Sequence, residues 1–133
     1  MYKGSCLCGS VKYEIKGELG AAVYCHCVRC RKASGSAFAA NATVAEDSFK
    51  IVQGAESLKM FSTAEGVHRI FCSACGSPII SKRDSFPGVF RLRLGTLDTP
   101  ITERLEAHIF VSSKADWYEI HDSLPQYTER VDN

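Results

Sequence analysis

Seven cysteines in a chain of 133 residues carry the chemistry, and none of them stands alone. Cys6-Leu7-Cys8 comes first, Cys25-His26-Cys27-Val28-Arg29-Cys30 second, and Cys72-Ser73-Ala74-Cys75-Gly76 third. Seven is odd, so a disulfide framework would strand one thiol, whereas two metal ions sharing the cysteines four and three strand none. Two cysteines one residue apart also close a strained disulfide ring. The pattern therefore reads as metal ligation.

The outer pairs, Cys6 with Cys8 and Cys72 with Cys75, supply four thiolates. That is a complete tetrahedral shell of the kind that closes a structural zinc site. Iron also accepts four thiolates, but zinc is the commoner occupant of a knuckle such as Cys72-Ser73-Ala74-Cys75-Gly76. A closed site leaves no position for substrate. Its role is to cross-link the start of the chain to its middle, which in a small domain supports much of the folding. Cys25, Cys27 and Cys30 instead give three ligands from one loop. Three protein ligands leave a fourth position open, which separates a catalytic zinc from a structural one. Three thiolates make the ion electron-rich, poor at generating hydroxide and suited to exchanging a soft ligand such as a thiol. A thiol taken there is deprotonated and becomes a nucleophile. One alternative stays open. His26, His68 or His108 could complete a Cys3His shell, which would make this site structural as well.

The elements that must place these thiols are short. Val11-Lys12-Tyr13-Glu14-Ile15 alternates with the period of a half-buried strand. The glycines of Gly4-Ser5-Cys6-Leu7-Cys8-Gly9 predict a tight turn with amides aimed at sulfur. Ala21 to Tyr24 is an apolar run into Cys25, and Arg31 to Gly35 reads as a helical turn closed by the glycine. Strands are expected over Ser36 to Thr43, Phe49 to Val52, Pro78 to Ser81, Val89 to Leu94 and Leu105 to Val111. Glu46-Asp47-Ser48 reads as a turn. Leu58 to Phe61 and Val67 to Phe71 read as a hairpin joined by the turn residues Ser62 to Gly66. Ser112 to Trp117 could begin one helical turn. The tail from His121 reads as docked at its apolar residues and frayed at its end. Many short strands with no long helical period predict one mainly β domain over residues 1–133, built of short antiparallel strands.

Bulk properties exclude several classes. Apolar residues make up 45% and charged residues 23%, ordinary for a globular chain. A net charge of +1 gives no general pull toward nucleic acid or an anionic membrane. No apolar run reaches membrane-spanning length. Met1 to Cys6 holds no apolar stretch, so no signal peptide is expected and the cytoplasm is the expected compartment.

In order along the chain, Gly4-Ser5-Cys6-Leu7-Cys8-Gly9, Cys25-His26-Cys27-Val28-Arg29-Cys30-Arg31, Cys72-Ser73-Ala74-Cys75-Gly76 and His108-Ile109-Phe110-Val111-Ser112-Ser113-Lys114-Ala115-Asp116-Trp117 together resemble the glutathione-dependent formaldehyde-activating enzyme family, whose domain a centromere protein shares. The resemblance runs from Gly4 to about Tyr127. It implies a zinc-stabilised β-tent fold, structural zinc on Cys6, Cys8, Cys72 and Cys75, and catalytic zinc on Cys25, Cys27 and Cys30. It also implies a carbon–sulfur lyase activity that joins glutathione to formaldehyde as S-hydroxymethylglutathione. Two other readings share the fold: a non-catalytic zinc-binding module, and a thiol redox or metal-handling protein.

Glutathione carries two carboxylates, so its site needs cations. Arg29, Arg31 and Lys32 cluster at the inner loop and are the candidates. Trp117, the one tryptophan, reads first as a core plug and second as a pocket wall. Arg91 and Arg93 share a strand face that reads as solvent-exposed. His108 reads as a hydrogen-bonded structural histidine, with general acid as its rival role.

Overall fold

In the computed structural model, residues 1–131 are described. They form ten short strands, one short α-helix and several single 3-10 turns. The mainly β fold expected from the sequence is what forms. Its residues fall into two compact units, one of Met1–Gly20 with Ala42–Thr102 and the other of Ala21–Asn41 with Glu103 onward. No helix among the described residues is long and apolar enough to cross a membrane.

In the first unit, β1 (Tyr2–Ser5) and β2 (Lys12–Ile15) pair antiparallel, and β2 pairs antiparallel with β5 (Phe49–Gln53). Gly4 lies opposite Tyr13 in this register. It belongs to the strand and not to the turn expected there. Its missing side chain has a packing reason, since a Cβ at Gly4 would overlap the Tyr13 ring. That close approach lets Tyr13 reach the core, where its hydroxyl meets Thr96 Oγ1 at 2.7 Å and its ring stacks on Phe49 at 5.1 Å. The turn itself uses Gly9, at φ 80°, between hydrogen bonds from Gly9 N to Cys6 O and from Cys6 N to Val11 O.

Four further strands of this unit make an antiparallel meander: β6 (Leu58–Ser62), β7 (Val67–Cys72), β8 (Pro78–Arg83) and β9 (Val89–Arg93). The β6–β7 hairpin is where alternation and turn residues put it. Cys6, Val11, Tyr13, Ile15, Val44, Cys72, Ile79, Ile80, Phe90 and Leu92 form one buried cluster, so two of the outer thiols are part of this core. The expected exposed face at Arg91 and Arg93 is not found. Arg93 is buried, and Arg91 is half-buried with its guanidinium 5.6 Å from the Phe86 ring centroid. Long aliphatic stems let arginine lie along a covered sheet face, which alternation alone does not reveal.

The second unit holds β3 (Ala22–Cys25), α1 (Val28–Ser34), the start of β4 (Ala39–Ala45) and β10 (Ala107–Ile109). β10 is shorter than the expected Leu105 to Val111, and it pairs parallel to β3, with His108 opposite Tyr24 and Ile109 opposite Cys25. This pair departs from the antiparallel expectation. The tail docks on the other side of β10 through its backbone. His108 N donates to Pro125 O and Tyr127 N to His108 O, both at 2.9 Å. The expected frayed end falls on Asp132 and Asn133, outside the described residues.

Candidate metal centres

Each cysteine cluster lies wholly within one unit. Cys6 and Cys8 sit in the turn after β1. Cys72 ends β7, and Cys75 follows it in the knuckle. Their four Sγ atoms lie within 4.8 Å of one another, with Cys6 and Cys8 3.7 Å apart and Cys8 and Cys72 3.9 Å apart. A tetrahedron with zinc–sulfur bonds of about 2.3 Å has edges of about 3.8 Å. A disulfide would need a separation of about 2.0 Å. All seven cysteines are free thiols. The outer set therefore fits a four-thiolate metal site.

Local chain geometry prepares these sulfurs for negative charge. Val11 N donates to Cys6 Sγ at 3.2 Å. Gly76, at φ 81°, closes the knuckle with a 2.7 Å bond from its N–H to Cys72 O, and the amides of Cys75 and Ala74 serve the Cys72 sulfur. The hydroxyl and amide of Ser77 pull the Cys75 thiol down to about 5, with the Cys8 amide assisting. The Ser10 hydroxyl, 3.1 Å from Cys8 Sγ, leads the lowering at Cys8. Burial pushes Cys72 up to about 11, a penalty that a bound cation would offset.

The inner set is built differently. Cys25 is the last residue of β3, Cys27 caps α1, and Cys30 lies in its first turn. Cys27 is extended (φ −66°, ψ 154°), and its sulfur accepts the N–H of Cys30 at 3.3 Å. Gly35 ends the helix in the left-handed conformation, as its position suggested, with its N–H on Arg31 O at 2.8 Å. The three Sγ atoms again lie within 4.8 Å of one another, Cys25 and Cys30 buried and Cys27 half-buried. The neighbouring thiols of Cys27 and Cys30, and then burial, push Cys25 far up. Three thiols cannot ionise this close together without a cation between them, which is what the donor set suits.

Among the described residues these two clusters are the only groups of three or more candidate metal-ligating side chains. None of the histidines weighed as a fourth inner ligand joins the thiols. His26 is fully buried, and its Nε2 meets His108 Nδ1 at 2.8 Å. His108 Nε2 in turn lies 3.0 and 3.2 Å from the two carboxylate oxygens of Asp122. Burial, then the charges of His108 and Lys114, hold His26 down at about 4, so it is neutral near pH 7. His68 belongs to the first unit, between Ser62 Oγ at 2.7 Å and Asp84 Oδ1 at 2.8 Å. The structural reading of His108 matches its place. Asp122 is not legible in the sequence, because a lone aspartate in a polar tail carries no periodic or motif signal.

The proposed cations lie on α1, where Arg31 and Lys32 occupy the last turn and suit the negative end of the helix dipole. Arg29 and Lys32 are exposed, and Arg31 is half-buried. Trp117 is 68% exposed, so the expectation of a core plug is wrong. It sits in a turn whose backbone runs along the surface, where no element covers the ring.

The family model described as glutathione-dependent formaldehyde-activating enzyme matches residues 1–113. Relatives in Aspergillus flavus and Aspergillus oryzae, provisionally named as glutathione-dependent formaldehyde-activating enzymes, are each 24% identical over 116 residues, 86% of this chain and 54% of theirs. The chain thus spans about half the length of the curated relatives it matches. A crystal structure of a Rhodobacter sphaeroides protein is similar with a TM-score of 0.64 and 28% identity, covering 75% of this chain and 91% of that one.

Proposed function

The chain belongs to the glutathione-dependent formaldehyde-activating enzyme family, and from that premise we propose that it is a zinc-dependent carbon–sulfur lyase acting on adducts of glutathione or a related thiol with formaldehyde. We take it as one zinc-stabilised domain working in the cytoplasm, where free thiols persist. The observation that carries the reading is the inner cluster: three sulfurs from one loop, with no fourth metal-ligating side chain beside them among the described residues.

Cys6, Cys8, Cys72 and Cys75 would hold the structural zinc. Cys25, Cys27 and Cys30 would hold the catalytic one. Bound there, zinc supplies a soft cation with a free position that favours the thiolate form of the substrate. The reaction makes one carbon–sulfur bond. The formaldehyde C=O becomes a C–O single bond, and the proton lost by the thiol ends on the new hydroxyl. The reverse reaction breaks the same bond. Arg29, Arg31 and Lys32, on the helix that carries Cys30, are the proposed partners of the substrate carboxylates. Trp117 offers an exposed ring as a contact surface.

The test is the rate of S-hydroxymethylglutathione formation from formaldehyde and glutathione with zinc-loaded chain, beside Cys27→Ser. Acceleration above the uncatalysed addition, lost in the variant, is expected. A wild type that gives no acceleration rejects this reaction.

A further inference from the structure

We infer that Asp122, His108 and His26 form a positioning chain that sets how tightly the inner cysteine loop holds its metal, an inference that rests on Cys25, Cys27 and Cys30 being metal ligands. His26 stands between two of those ligands, so any movement of its backbone moves both. Backbone and ring contacts both hold it. Its N–H donates to Ile109 O at 3.0 Å, and its carbonyl accepts from Ser113 Oγ at 3.4 Å. Its ring lies against Phe38, with centroids 5.5 Å apart, and Nε2 meets His108.

The end of the chain fixes the direction of every bond in it. Asp122 as a carboxylate can only accept. His108 Nε2 must therefore donate to it, and in the neutral ring His108 Nδ1 is left as the acceptor. His26 Nε2 must then donate to that Nδ1, so the ring is fixed in one tautomer and one orientation. His108 cannot drift, because its ring stacks on Tyr24 at 4.7 Å and its backbone bonds Pro125 and Tyr127. Asp122 is itself oriented by Leu124 N, which donates to Oδ1 at 3.0 Å. The hydrogen bond from His108 holds the Asp122 carboxyl below its usual range, in keeping with an ionised acceptor.

Carboxylate–histidine links behind metal ligands are worth about 10–100-fold in metal affinity. Here the link acts on the residue between two ligands. Asp122 is 44% exposed, and the tail's backbone bonds to β10 through Pro125 and Tyr127 do not use its side chain. Its removal therefore leaves those backbone bonds in place, at the cost of the bonds it makes to His108 and Leu124 N.

The test is chelator competition with the zinc-loaded full chain, the inner zinc being identified as the one lost in Cys27→Ser. Asp122→Ala is expected to weaken the inner zinc about 10–100-fold, with the outer zinc unchanged and cooperative melting retained. Asp122→Glu restores most of the affinity. His108→Asn weakens the inner zinc at least as much as Asp122→Ala, and cobalt(II) substituted at the inner site shows shifted visible bands in both. Competition curves that match wild type in both variants overturn the inference, as does a parallel weakening of both zincs. A wild type that binds one zinc, unaffected by Cys27→Ser, removes the metal reading and this inference with it.

Discussion

Cys72→Ser and Cys27→Ser change the same atom and should differ widely in cost. Cys72 is fully buried in the core of the first unit, its sulfur 3.9 Å from that of Cys8 and served by the amides of Ala74 and Cys75. A structural zinc contributes about 10–16 kcal/mol of apparent binding free energy. A domain is stable by only about 5–15 kcal/mol in total. Weakening a four-thiolate shell by one ligand therefore puts the whole fold at risk, and the serine adds a buried hydroxyl with about 1–3 kcal/mol of its own cost. Cys27 is half-buried and caps α1 by accepting the Cys30 N–H. Serine is among the preferred residues at that position, so the cap survives and the folding cost is below about 1 kcal/mol. Circular-dichroism melts with zinc counted per chain check this. Cys72→Ser should lose cooperative melting or many degrees of melting temperature, while Cys27→Ser stays within a few degrees of wild type and lacks one zinc. Equal losses in the two variants would refute the division into a scaffold site and a working site.

Gly4→Ala should lower stability by about 1–3 kcal/mol or more, because the new methyl group overlaps the Tyr13 ring; thermal melts read the loss. Burial raises Tyr13 from 10 to about 12, so the folded state favours the neutral phenol. The resulting stability, about 2–3 kcal/mol, is fully present below pH 10 and is lost as pH rises from 10 to about 12. Urea titrations across that range should show the decline in wild type and a flatter curve in Tyr13→Phe. Trp117→Ala should change the melting temperature little, since an exposed side chain away from the core costs within about 0.5 kcal/mol. Under the proposed function it should raise KM for glutathione more than it lowers kcat, as steady-state rates would show.

Local features are legible in the sequence. The β6–β7 hairpin, the knuckle glycine and the helix stop at Gly35 each follow from residues within a few positions of the feature. The two cysteine clusters came from spacing alone, and their sulfurs do converge. What escaped depended on distant pairing. Hydrophobic alternation says nothing about strand direction, so the parallel β3–β10 pair was invisible. Nothing in the sequence links His26 to His108, which meet only because that pair sets Ile109 beside Cys25. Trp117 misled because a large aromatic favours burial in general, and a single tryptophan has no periodic context to correct that expectation. Arg93 misled in the opposite sense, for a charged residue is rarely buried.

The proposed function requires the three-cysteine site to be open and to take a thiol. Zinc K-edge absorption on the two-zinc chain, before and after adding glutathione, tests it most directly. One of the two zinc ions is expected to gain a sulfur neighbour when glutathione is added, and Cys27→Ser to abolish the change. Sulfur coordination that stays the same at saturating glutathione would contradict it.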